Sequence, residues 1–435
     1  MNNFDMNFKF IYGVEFCENL KKDLIETIIN AEKNARINPF NSMASSRRAL
    51  EALIKGIVVK NGHSINNYNL DKLVKICLNN GYISESLTEN INIVRKSGNQ
   101  TVHVNFNANT TPLYTTSENI KKSVDVLKNL FIICREYFKV DYEFDAEKIP
   151  FGEYYINRAV KKTFGEIIYG NYNYFVYKGD GYNYFLQRFP LSSDDEFKVL
   201  VTRSEESRSA IRESSEFETN SYLPVMGNIE TSETCDHRLV TYKIPKNSSL
   251  LSEFEKTNLS KKKIIKIALD LLYALQEMKE IGNGIHHRNI NPGCVIVSFD
   301  ELGKKCRATL VNMQMTKIVN CDKTIIHQLS RMQTNNPFQP ADIRNLTEEQ
   351  LSRTNWEKVD VYSVAKIILY CIDRNLASDD AQEDSVVEKL YYKNFSDDFV
   401  ELLTRIVSGD TNSNPNIEEM IGVLVNELKN SEQNV

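Results

Sequence analysis

Apolar residues return every three or four positions through "ENIKKSVDVLKNLFIICREYFKV", where Ile120, Val124, Leu127, Phe131, Cys134 and Phe138 fall on one side of a helix. Ser117 and Glu118 stand at the head of the run as cap and first-turn acid. Such a stripe is stable only when other elements cover it. Further helices are expected near residues 16–32, 43–59, 70–79 and 84–103, and together they imply a compact bundle. After "DYEFDAEKIPFGE" the period shortens. "NYNYFVYKGDGYNYFLQRF", residues 171–189, sets aromatic and β-branched residues on both sides of "KGDG", which reads as two strands joined by a glycine-containing turn. "SYLPVMGNI" and "HRLVTYKI" supply further short strands. From "NLSKKKIIKIALDLLYALQEMKEIG" onward helices dominate, with Ser260 as N-cap and Gly282 as stop. The expected fold is multidomain: an all-α bundle over residues 1–145, then an α+β region over 150–430 in two lobes, the smaller sheet-rich to about 245 and the larger helical from about 246.

Composition narrows the class. With 435 residues, 41% apolar and 26% charged, the chain suits folded globular domains. No apolar run approaches bilayer length; "VAKIILYCI" at 364–372 is too short and reads as a buried helix. The opening "MNNFDMNFKF" lacks the basic start and apolar core of a signal peptide. A cytoplasmic protein that makes no membrane contact is therefore expected. Eight cysteines lie in apolar contexts without a C-x-x-C pair or a histidine at metal spacing, so reduced, buried thiols are expected, and no metal or cofactor. Residues 1–140 hold 18 Lys and Arg against 13 Asp and Glu, a balance of +5 in a chain whose net charge is −5. Only this third could attract a polyanion, and its excess is mild.

Several motifs then fall in order. "HHRNINPGCVIV" follows a long helix, "LVNMQMTKI" spans 310–318, "NPFQPADI" spans 336–343, and "KVDVYSVAKIILYCI" spans 358–372. This series resembles the catalytic loop, metal-binding D-F-G stretch, A-P-E motif and buried helix of the protein kinase fold. The resemblance makes His287, Arg288, Asp342 and Asp360 structural landmarks, with Asp360 holding the loop backbone. It also implies a loss of chemistry. Phosphoryl transfer needs a carboxylate beside the attacking hydroxyl and hard oxygen ligands for magnesium. Here Asn289 replaces the catalytic aspartate, Cys294 a metal-binding asparagine and Asn312 the D-F-G aspartate, while Gln187 stands where a lysine would hold phosphates. Tyr172 and Phe175 occupy glycine positions of the phosphate loop, and Asn414 replaces the arginine that would pair with Asp342. A pseudokinase that docks a protein partner or ligand is the implied reading.

One constellation elsewhere retains chemical potential. In "INIVRKSGNQTVHV", Arg95, Asn99 and His103 are four apart, so on a continuous helix successive members differ by about 40° and project from one face. A histidine can move the proton of a 2′-hydroxyl while an arginine stabilises charge on phosphorus. The stretch resembles the R-x-x-G-N-x-x-x-H branch of the HEPN superfamily, which is preceded by a helix like "SSRRALEALIKGI". That resemblance implies a metal-independent endoribonuclease built across a homodimer, as in bacterial defence and toxin systems. Arg95 and His103 would be the catalytic pair, Asn99 their polar neighbour, and Arg47 and Arg48 contacts for phosphate. The alternative is that Gly98 interrupts the helix, Asn99 caps a new turn and His103 bonds a core carbonyl. The bundle would then only dimerise, in a non-catalytic scaffold or adaptor that binds proteins through the pseudokinase.

Overall fold

A computed structural model describes residues 7–66, 68–102, 117–160, 172–178, 181–190, 207–213, 222–229, 237–254, 259–282, 284–303, 305–313, 316–318, 336–344 and 346–433. The chain forms two compact units, one on the described residues of Met1–Ala159, Tyr174–Gly181 and Glu230–Arg238, the other on those of Val160–Asn173, Tyr182–Ile229 and Leu239–Val435.

The first unit is built from α1 (Glu18–Asn34), α2 (Pro39–Lys60), α3 (Leu70–Asn79), α4 (Thr88–Val102) and α5 (Ser117–Phe138). Their starts are chemically specified. Asn38 accepts the Asn41 N–H ahead of Pro39 at the first helical position, and Asn69 accepts the Lys72 N–H. Helix α2 is the centre: it packs against α1, α3, α4 and α5 and buries residues on every side, among them Leu50, Leu53, Ile54 and Ile57. Close approach of the chain requires glycine at two places on it or against it. The Phe16 ring lies 2.0 Å from where a Cβ at Gly56 would sit, and the Arg47 Cβ 2.4 Å from one at Gly98. The α5 stripe is wider than the spacing predicts. Leu127, Phe131 and Cys134 are buried, but so are Val126, Leu130 and Ile133, because α2 and α4 both cover this helix. Strand β1 (Tyr155–Ala159) pairs antiparallel with β2 (Tyr172–Tyr177), Tyr155 opposite Tyr177, with an irregularity between Ile156 and Arg158.

In the second unit β3 (Asn183–Pro190), β5 (His237–Ile244) and β4 (Met226–Ile229) are neighbours in that order. Strands β4 and β5 are antiparallel, Met226 opposite Tyr242. A second sheet orders β6 (Ser248–Leu250), β8 (Val295–Phe299) and β9 (Cys306–Leu310), and β7 (Ile285–His286) pairs with β10 (Lys317–Ile318). Around these lie α6 (Lys261–Glu280), α7 (Glu348–Ser352), α8 (Trp356–Ile372), α9 (Glu383–Tyr392), α10 (Asp397–Ser408) and α11 (Ile417–Gln433). Helix α6 stops before Gly282, whose φ of 55° suits a residue without a Cβ. Ser260 precedes its first turn, but its hydroxyl accepts no helical N–H. Fifteen of the 17 residues of α8 are buried, which fits a sequence apolar on all sides. Among the described residues no helix is long and apolar enough to cross a membrane, and no cluster of His, Cys, Asp and Glu fits a metal ion. Cys77, Cys134, Cys294, Cys306 and Cys371 are buried free thiols and Cys17 is half-buried.

Candidate functional site

Two groups of residues singled out by sequence are described, one in each unit. In the second unit the loop after β7 is fixed by α8. The Asp360 carboxylate accepts the backbone N–H groups of His287 at 3.0 Å and Arg288 at 2.8 Å. Burial pushes this carboxyl up, while those donors and the Arg288 charge pull against it. Arg288 has φ 65°, a left-handed conformation that costs a non-glycine residue about 1–2 kcal/mol. Its carbonyl accepts from the Gln339 amide at 2.8 Å and its guanidinium lies 5.0 Å from the Trp356 ring centroid. The strain is therefore held by contacts on both sides of the residue.

His287 is used up by the fold. Its Nε2 lies 3.1 Å from the Val311 carbonyl oxygen and its Nδ1 lies 3.3 Å from the Asn289 backbone nitrogen. The first partner can only accept and the second can only donate, which assigns Nε2–H and a bare Nδ1. Burial lowers its pKa to about 4, so the ring stays neutral.

Next to this clamp the expected degenerate positions meet. The Asn312 amide donates to Cys294 Sγ at 3.4 Å, the Cys294 thiol donates to the Asn289 carbonyl oxygen at 3.1 Å, and the Asn336 amide donates to Asn289 Oδ1 at 3.4 Å. Asn291 completes the turn, accepting the Gly293 N–H at 2.9 Å and donating to the Asn289 carbonyl at 3.1 Å. Burial raises the Cys294 thiol to about 12, so it is a protonated donor and not a thiolate ligand. Asn312 itself has φ 66°, and its buried Oδ1 meets no donor among the described residues. Every member of this network is uncharged.

Gln187, on β3, is 1% exposed, and its amide donates to Asn173 Oδ1 at 3.3 Å. Asp342 meets Thr411, accepting its hydroxyl at 2.7 Å and its N–H at 3.2 Å. Asn414 turns elsewhere, to the Lys358 carbonyl at 3.4 Å. Asp342 is thus met by Thr411, three residues before Asn414, a partner that sequence reading missed.

In the first unit α4 runs unbroken through Gly98 to Val102, which removes the alternative of an interrupted helix. Arg95 and Asn99 are both half-buried and one helical turn apart on the same ridge. His103 lies outside the described residues. Arg95 bonds Asp71 Oδ1 on α3, donates to Asn92 Oδ1 at 3.3 Å, and keeps a buried Nε that meets no partner among the described residues. The stem of Arg47 crosses α4 at Gly98, with its guanidinium 3.9 Å from Glu51. Arg48 is exposed. The Asn92 contact is readable from its i−3 spacing, whereas Asp71 is 24 residues away and carries no sequence signal beyond being a first-turn acid.

No protein-family model matches the chain, and no curated protein matches it.

Proposed function

We propose that the second unit is a protein-kinase-like fold that does not transfer phosphate and works as a binding module. In this reading it governs a HEPN-like bundle that acts as a metal-independent endoribonuclease, in the manner of a bacterial defence effector. The observation that carries the first part is the uncharged network of Asn312, Cys294, Asn289 and Asn336 beside a loop still clamped by Asp360. An amide has no useful proton affinity at neutral pH, so Asn289 is no general base. Magnesium takes hard oxygen ligands, and a protonated buried thiol offers none. Gln187 gives the phosphates an amide already bonded to Asn173 where a charge is needed. The order β3, β5, β4, followed by a buried helix whose aspartate grips the loop, supports the fold assignment.

The ribonuclease part rests on Arg95 and Asn99 sharing one ridge of an unbroken helix, with Arg47 crossing that helix at Gly98. His103 is the next residue in sequence after Val102. A homodimer through the bundle would complete the composite site. One contact favours a second reading, a scaffold without turnover: Asp71 neutralises Arg95, and a paired arginine has less charge to offer a phosphate.

Incubation of the purified full-length protein with RNA in excess chelator separates the two. Cleavage by the wild type that is lost in both Arg95→Ala and His103→Ala supports the nuclease, whereas three identical RNA patterns from folded proteins support the scaffold. Incubation with γ-labelled ATP and magnesium is expected to leave protein acceptors unlabelled. Label that appears and then vanishes in Asn312→Ala would overturn the non-phosphorylating reading.

A further inference from the structure

A cavity of about 440 Å³ lies within the second unit, lined from α8, α9, α10 and the segment between α8 and α9. That volume falls in the range of small-ligand pockets, about 300–1,000 Å³. Its walls are mostly spoken for. Arg344 donates to both Asp379 oxygens, at 2.5 and 2.8 Å, and to the Gln339 carbonyl at 2.9 and 2.6 Å, so this pair is closed and close to neutral. Asp342 is taken by Thr411.

Two groups are left over. Lys366, from the middle of α8, is only 4% exposed, and among the described residues its ammonium meets one acceptor, the Ser378 carbonyl oxygen at 3.1 Å. No carboxylate of the described residues pairs with it at ion-pair distance. Thr404, on α10, is 9% exposed, and its Oγ1 meets no partner among the described residues. A buried ammonium with donors to spare is costly, and a buried hydroxyl left unbonded adds to the cost. Burial also pulls the Lys366 pKa down to about 8, with Asp379 opposing and Arg344 reinforcing the shift. The fold thus holds two unspent hydrogen-bond donors, one of them cationic, on the wall of one cavity.

We propose that this cavity binds a small organic monocarboxylate, whose oxygens accept from the Lys366 ammonium and the Thr404 hydroxyl and whose apolar body lies against Leu369, Leu376, Val386 and Val407. The charge count selects the class. One unpaired cation matches one negative charge, and the carboxylates of Asp342, Asp379 and Glu383 on the same walls disfavour a dianion such as phosphate. The apolar residues disfavour a bare inorganic ion. This site stands apart from the Asn289 network and does not depend on whether the unit is kinase-like.

Hexanoate serves as the probe, measured by calorimetry and thermal shift on the full-length protein, with hexanamide and inorganic phosphate as controls. Hexanoate is expected to bind and to raise Tm, and neither control to do so. Lys366→Met removes the buried charge at similar volume, so the variant is expected to fold, and binding falls about tenfold or more. Thr404→Val keeps the shape and weakens binding about three- to tenfold. Equal affinity for hexanoate and hexanamide, retention of full affinity in Lys366→Met, tighter binding of phosphate, or no hexanoate binding at all would each overturn the proposal.

Discussion

The contact most open to a quantitative test is the grip of Asp360 on the loop after β7. Asp360 is 1% exposed and Arg288 3% exposed, so solvent replaces nothing when the carboxylate is removed. Asp360→Ala strips the acceptor from two buried N–H groups, bonded at 3.0 and 2.8 Å, and each orphaned donor costs about 1–3 kcal/mol. It also removes the Coulombic attraction that the carboxylate exerts on the buried Arg288 guanidinium. These costs overlap, since the same desolvated groups enter both. The expected loss is about 3–5 kcal/mol.

The assay is built into the chain. Trp356 is the one tryptophan of the 435 residues; it sits one turn before Asp360 on α8, and the Arg288 guanidinium lies on its ring. Urea unfolding followed by its fluorescence therefore reports on the second unit. The midpoint is expected to fall with the slope unchanged. Asp360→Asn keeps the volume and one acceptor, so it is expected to lie between wild type and alanine. A loss below about 1 kcal/mol in Asp360→Ala would show that the loop does not hang on this carboxylate, and would remove the main structural support for a kinase-like arrangement.

Three further outcomes can be checked. Burial lifts the Glu32 carboxyl to about 7, against the Asn7 amide that donates to it. Because its folded pKa exceeds the unfolded value of 4.5, the contribution is fully present below about pH 4.5 and is lost as pH rises to about 7, by up to about 3 kcal/mol; Glu32→Gln should flatten this slope in the hydrogen-exchange protection of α1. Gly98→Ala puts a methyl 2.4 Å from the Arg47 Cβ and 3.0 Å from the Met43 carbonyl oxygen, so α2 and α4 must separate, at about 1–3 kcal/mol in thermal melts. Asp71→Asn frees Arg95 from a pair whose side chains are 25% and 54% exposed; stability should change by less than about 1 kcal/mol while RNA affinity in filter binding rises, and unchanged affinity would count against Arg95 as a phosphate contact.

Local chemistry made much of this fold readable in advance. The sequence pattern predicts a strand over residues 237–244, which form β5, and a helix over residues 70–79, which form α3, because alternation and helical spacing are written within a few residues of each other. The α5 stripe is narrower in the sequence pattern than in the fold, since spacing cannot say that α2 and α4 both cover the helix. The residue types at Asn289, Cys294 and Asn312 are likewise visible as letters, but their mutual bonds are not. Asn336 reaches Asn289 across 47 positions, Arg95 finds Asp71 across 24, and Thr411 finds Asp342 across 69. A polar side chain states only what it can donate or accept; which partner it meets is decided by chain closure and burial.

That distinction gives the uncharged network its physical meaning. Carboxylates converging on one loop repel each other unless a cation sits between them, so a phosphate-transferring site of that kind is fully organised only when its metal is bound. In the proposed reading, the amides of Asn289 and Asn312 in place of two such carboxylates, beside the protonated Cys294 thiol, remove the repulsion and supply donors as well as acceptors. Asn312 can then bond Cys294, and Cys294 the Asn289 carbonyl, with no ion required. In the proposed reading, the groups that ended phosphoryl transfer are also those that let the loop hold one shape unaided, which is what a surface that must be recognised by a partner requires.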